Sequence, residues 1–197
     1  MTAAEQTHRQ SEPWSRNPVR ERSELLAPPV VPTDTVSSHL HASGRLDLED
    51  LNWEKRPYNA SQAYSDSKLA NVLFTLELQR RLTTAGAGVR AVAVHPGMTR
   101  TNLFGHASGV QATLINALAP LVVQDPDHGA WSTLFAATDD IPGGSFVQPG
   151  GLAHMRGAPE IATPSRGAQD AAVARRMWGI SARLVGIDSP LGMAVAV

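Results

Sequence analysis

Apolar side chains recur at a helical period in the middle of the chain. Leu69, Val72, Leu73 and Leu76 fall three and four residues apart, which predicts a helix over 61–84, the chain's best amphipathic one, with Ser61 as its N-cap. Gly86 and Gly88 end it. Val89 to Val94 then reads VRAVAV, a mostly apolar run that predicts a strand buried on both faces. A helix, a tight glycine turn and a buried strand make half of a βαβ unit, so the pattern argues for a parallel sheet. Upstream, the β-branched residues Thr35 and Val36 predict another strand, closed by Ser37 and Ser38. Between the two strands, residues 44–60 form a long polar connection, a length that usually marks a functional or partly helical segment. Downstream, helices are expected over 109–123 and 127–138, the second opened by Pro126. Gly143-Gly144 leads to a short strand at 145–147, and a last helix over 169–185 presents Ala172, Val173, Met177 and Ile180 on one face.

Residues 1–29 depart from this text. They are rich in Arg, Glu, Ser and Pro and carry neither period, so they read as mostly disordered. The expected organisation is an unrelated segment over 1–32, a domain over 33–188 and a tail over 189–197. With 42% apolar and 18% charged residues the chain reads as globular, and a formal charge of −1 gives no electrostatic footprint for nucleic acid or an anionic membrane. The absence of cysteine excludes disulfides, thiolate metal sites and cysteine nucleophiles, and it permits a reducing cytoplasm, the expected location. No apolar leader opens the chain, and the most apolar stretch, Leu114 to Val123, is interrupted by Asn116 and Pro120. That stretch is well short of the ~20 residues needed to cross a bilayer, so it reads as packing or a substrate lid.

Chemistry enters with Tyr64 and Lys68. Four residues apart near the start of a helix, they put a phenol and an ammonium on one face, one turn apart. A phenol beside a fixed cation is an acid–base group suited to a substrate oxygen, although neither residue carries hydride. The pair alone is also what a solvated helix face looks like. Ser38, at the carboxyl end of a strand, would face the ligand crevice of an open α/β sheet, or it merely finishes the strand. HPGMTRT at 95–101 leaves the next strand at the same rim, and its Thr101 could equally cap a following helix. His39 and His41 form an H-x-H with no third ligand in view, so a loop role is favoured and no metal is expected.

Together, TVSSHLHASGRLDLEDLNWE, AYSDSKLANVLFTLELQRRL and VRAVAVHPGMTRT, with GGSFVQPGGLAHMRG and VARRMWGISARLVGI after them, resemble the short-chain dehydrogenase/reductase family, nearest its retinol-dehydrogenase-like and protochlorophyllide-reductase-like branch. The resemblance runs over about 35–187 and implies the C-terminal part of a Rossmann-like, doubly wound parallel α/β sheet that lacks its first strands. It implies an oxidoreductase using NAD(P)(H), NADP slightly favoured, on a small lipophilic alcohol or carbonyl. Tyr64 would be the general acid/base, Lys68 would bind the nicotinamide ribose, and Ser38 would hydrogen-bond the substrate oxygen. Pro96, Gly97 and Thr101 would lie against the nicotinamide. In the family the helix matching 61–84 commonly forms a dimer interface, so a homo-oligomer through it is the partner to expect.

The pattern departs from the family upstream. Residues 1–34 contain no glycine, so the main dinucleotide-binding motif is absent, and so is the family's catalytic Asn. A displaced start or shifted reading frame would produce such a change in composition. An alternative function follows, a non-catalytic remnant or a dimerisation module that keeps the Tyr64–Lys68 helix by descent, with a bare apolar sheet edge that another chain would cover.

Overall fold

The computed structural model describes residues 30–98 and 125–187. The chain divides into two units, Met1–Val30 and Val31–Val197, and the described residues belong to the second apart from Val30. Four strands, β1 (Val31–Val36), β2 (Val89–Val94), β3 (Phe146–Pro149) and β4 (Pro159–Ala162), form one sheet in that order. β1, β2 and β3 run parallel, with Val36 opposite Val94 and Val94 opposite Val147, while β4 returns antiparallel to β3. Among the described residues three α-helices accompany them, α1 (Ala60–Thr84), α2 (Pro126–Thr138) and α3 (Ala171–Val185).

Alternation along β2 explains why helices cover both faces. Ala93, with Phe146 of β3, packs against Leu69, Val72 and Leu73 of α1 and Ala174 and Met177 of α3. Val92 and Val94, with Val147 of β3, face the other way onto Ala136 of α2 and onto Ile141. The mixed α/β architecture is therefore the expected one, and the strand over 89–94 has the expected bounds. Arg90 interrupts the apolar run of β2 yet is buried, because its guanidinium donates to the carbonyls of Ala136 (2.8 Å) and Ile141 (3.2 Å). A cation at the last carbonyls of α2 also suits the negative end of that helix.

Several expectations change. Asn59, not Ser61, caps α1, its side chain accepting from the Gln62 amide at 3.0 Å. The helix stops as expected, with Gly86 at φ +62° and the Gly86 and Ala87 amides closing on the Thr83 and Leu82 carbonyls, a glycine-dependent C-terminal motif. α1 is not cleanly amphipathic, because Asp66, Glu77 and Arg81 are buried alongside its aliphatic stripe. Burial would raise the Glu77 carboxyl, but Arg80 and Arg81, bonded to it at 2.7–2.8 Å, hold it below the ordinary carboxylate range. The cleaner division belongs to α3, where Ala174 and Met177 are buried, Val173 and Ile180 are half-buried, and Ala172 faces solvent. β4 has no counterpart in the expected elements: PEIA, with a proline first, gives no period of its own. The helix expected over 109–123 and the apolar stretch Leu114 to Val123 lie outside the described residues. No helix among the described residues is long and apolar enough to cross a membrane.

Candidate active site

The parallel register brings the carboxyl ends of β1 and β2 to one rim. There Ser37 follows Val36 and His95 follows Val94, with Ser37 N–H donating to the Val94 carbonyl and His95 N–H to that of Val147, both at 2.7 Å. The two loops meet beyond the strands, since the His39 and His95 rings lie 6.2 Å apart. This rim is where ligands bind in open parallel sheets.

α1 delivers Tyr64 and Lys68 at its first turns. The Lys68 ammonium lies 5.4 Å from the centre of the Tyr64 ring, so the spacing of four does place them together. Tyr64 is 46% exposed and lines a hollow with Leu40, Ser43, Asn59 and Gln62. Sequence reasoning missed Ser37. Its side chain is buried, and its hydroxyl donates to the Lys68 carbonyl at 2.8 Å, fastening the end of β1 to the turn that carries the pair. Asn71, one turn on, makes a second tie by donating to the Val36 carbonyl at 2.8 Å.

Ser38 is half-buried in the loop after β1, and it caps a short 3-10 helix (His39–Ser43) by accepting from the Leu40 amide at 3.3 Å. The strand-finishing expectation for this residue is the one the geometry bears on, since it stands just beyond the end of β1. It closes a strand, and because its oxygen accepts from Leu40 its hydrogen stays free to donate. Among the described contacts it does not hydrogen-bond Tyr64.

Pro96 and Gly97 follow β2 in a turn that needs glycine, with Gly97 at φ +81°. The Gly97 amide donates to His95 Nδ1 at 3.3 Å, and the Met98 amide reaches the Met155 carbonyl at 2.8 Å, pinning the turn to the β3–β4 connection. That connection bends sharply at Ala153 and His154, which adopt φ of +51° and +56°, a strained conformation held by its surroundings. Here Gln148 donates to His154 Nδ1 at 2.7 Å, and His154 lies 5.8 Å from His39. Burial, and after it the neighbouring His39, depresses the pKa of His95 to about 4. Thr101 lies outside the described residues. Among the described residues no group of three or more His, Asp or Glu side chains is arranged to hold a metal ion.

The chain is similar to known proteins in sequence and in structure. No family model matches the chain. Over 160 residues it is 42% identical to retinol dehydrogenase 13 of Homo sapiens, covering 79% of this chain and 46% of that protein. It is 36% identical over 152 residues to polyprenol dehydrogenase of Mus musculus (77% and 43%). It is 35% identical over 153 residues to a short chain dehydrogenase/reductase of Colletotrichum higginsianum (76% and 37%). A crystal structure of an uncharacterized protein from Mycobacterium paratuberculosis superposes with a TM-score of 0.64 at 45% identity, covering 81% of this chain and 52% of that one. The chain thus spans about half the length of the curated relatives it matches. Over the matched stretch, the chain belongs to the short-chain dehydrogenase/reductase family of oxidoreductases.

Proposed function

We propose that this chain handles the proton in a nicotinamide-dependent oxidation–reduction between an alcohol and a carbonyl, on a small lipophilic substrate of the kind named in its retinol and polyprenol dehydrogenase relatives. The reading is carried by the Tyr64–Lys68 pair, set at 5.4 Å on the rim where three parallel strands end.

The residues present fit the nicotinamide end of NAD(P)(H). Tyr64 is exposed, Lys68 beside it is half-buried, and the turn at Gly97 carries no Cβ; these residue types suit a flat ring and its ribose. The described glycines give no cradle for the phosphates. A Cβ on Gly151 would meet the Arg156 carbonyl at 2.3 Å and one on Gly150 the Glu160 carboxylate at 2.7 Å, so both are consumed by packing inside the β3–β4 connection. When bound, the cofactor supplies hydride chemistry. Tyr64 would give its hydroxyl proton to a carbonyl oxygen in reduction and take one from the alcohol in oxidation. Lys68 would hold the ribose and set a positive charge beside the phenol, and Ser38 would donate its free hydrogen to the same substrate oxygen. Pro96 and Gly97 would back the nicotinamide. Titrating the purified chain with NADPH and with NADH tests the reading by the quenching or enhancement of reduced-nicotinamide fluorescence. Saturable binding, tighter for NADPH, is expected; no saturable binding of either would sink it.

One observation favours a second reading, an interaction module. β1 has no partner on its outer side among the described residues, and Val31 and Val36 are about half exposed there. Phe74 on α1 is also partly exposed. Under this reading the chain self-associates through α1 without turning over substrate. Sedimentation showing a dimer that Phe74→Glu dissociates, together with no cofactor binding, would favour it.

A further inference from the structure

His41 performs a task that the proton chemistry does not use. It is 4% exposed, on the 3-10 helix after Ser38, with its ring 4.9 Å from that of Phe146 on β3. Its Nε2 accepts from the Ser165 amide at 3.0 Å, and its Nδ1 lies 2.8 Å from the Ser38 carbonyl. A backbone amide can only donate, so Nε2 is bare and the ring's one proton sits on Nδ1, donating to Ser38. The same Ser38 carbonyl also accepts from the His41 amide at 3.0 Å. One neutral imidazole thus ties the turn holding Ser38 to the loop after β4, across β3.

We propose that His41 is a positioning residue, a neutral bolt that fixes the Ser38 hydroxyl at the rim by joining its turn to the Ser165 loop. This rests on the functional reading above. A second proton would have to enter at Nε2, where the Ser165 N–H already points, so protonation sets two donors against each other and opens the bolt. Burial lowers the ring's pKa in the first place, the Ser38 carbonyl opposes that, and a nearby His39 charge adds to it. The other titratable groups around the turn are accounted for. His95 faces it from the loop after β2, α1 brings Lys68, whose carbonyl holds Ser37, and Asp66, whose carboxylate is taken by Arg45, Gln62 and Arg56. Arg166, next to Ser165, is exposed.

The test uses the full chain labelled at histidine, followed by nitrogen NMR between pH 4 and 8, with amide exchange of Ser165 read in parallel. Wild type is expected to show an Nδ1–H neutral His41 that titrates below the ordinary imidazole range. His41→Phe keeps the ring contact with Phe146, and Ser165 exchange should rise about tenfold. In His41→Gln, whose side-chain oxygen can accept from Ser165, that protection should return. NADPH-dependent reduction of retinal is then followed in the same variants. With His41→Phe, kcat should fall while KM for NADPH holds, and the acid limb of the profile should move. An Nε2–H tautomer, or unchanged Ser165 exchange in His41→Phe, would overturn the bolt. Absence of turnover in wild type would instead overturn the catalytic reading on which the role of Ser38 depends, and the NMR result would still decide the bolt.

Discussion

The Ser37 hydroxyl donates to the Lys68 carbonyl at 2.8 Å, so the end of β1 and the helical turn after Tyr64 move as one piece. The bond is made by a buried serine next to the one that the family pattern marks. It fixes where the Tyr64–Lys68 pair stands relative to the rim, while Ser38, one residue on, accepts from the Leu40 amide.

Ser37→Ala should cost about 1 kcal/mol of stability, the usual value of a buried neutral hydrogen bond. For a chain of this size that lowers Tm by about 2–4 °C, measurable by calorimetry. An unchanged Tm would remove the fastening role assigned to this hydroxyl.

Glu77 should be the more damaging position. It is 2% exposed and bonded to both Arg80 and Arg81, and the Arg81 guanidinium lies 4.7 Å above the Trp178 ring of α3. Removing the carboxylate in Glu77→Ala takes from Arg80 and from the buried Arg81 the ion pair each makes with it, at a cost on the order of 3 kcal/mol in urea denaturation. A loss under ~1 kcal/mol would show that solvent reaches this pair.

Acid should destabilise the domain through His95, His41 and Glu77, whose signs agree, while Asp34, its carboxyl raised by burial, works the other way. His95 is held neutral, its folded pKa near 4 against 6.5 unfolded, so its contribution is complete above about pH 6.5 and fades as pH falls toward 4. A shift of that size is worth on the order of 3 kcal/mol. Glu77 is held ionised, so its contribution is complete above its unfolded value of 4.5 and is lost on further acidification. Stability should therefore hold from pH 8 to about 6.5 and fall from there toward pH 4, and His95→Asn should flatten the upper part of that fall. Equal slopes in the two proteins would contradict the assignment to His95.

Much of this arrangement is legible in the sequence where one period dominates. α1 and β2 follow from Leu69, Val72 and Leu73 and from VRAVAV, because the same side chains that set the period also fill the core. The Tyr64–Lys68 contact follows from helical spacing alone. What escapes depends on contacts across the chain. Asn59 and Ser61 are both good N-caps, and only the path of the 44–58 connection selects Asn59. β4 pairs through its backbone with β3 and has little apolar patterning to announce it. His41 reads as half of an H-x-H in a loop, whereas its decisive partner, Ser165, lies 124 residues away.

Gly97→Ala should separate binding from folding. The φ of +81° at Gly97 makes any side chain cost about 1 kcal/mol in backbone strain. The added methyl would also stand at the turn expected to back the nicotinamide. NADPH affinity should fall by more than the stability loss accounts for; an affinity equal to wild type would place the cofactor elsewhere.

The most direct test is a comparison of the wild-type chain with Tyr64→Phe in NADPH-dependent reduction of retinal, with NADPH binding measured on the same preparations. The phenylalanine keeps the ring beside Lys68 and removes only the hydroxyl. Turnover should drop by about 10²–10⁴-fold, the range of a general acid, with cofactor affinity nearly unchanged. Turnover by Tyr64→Phe at the wild-type rate would contradict the proton role of Tyr64.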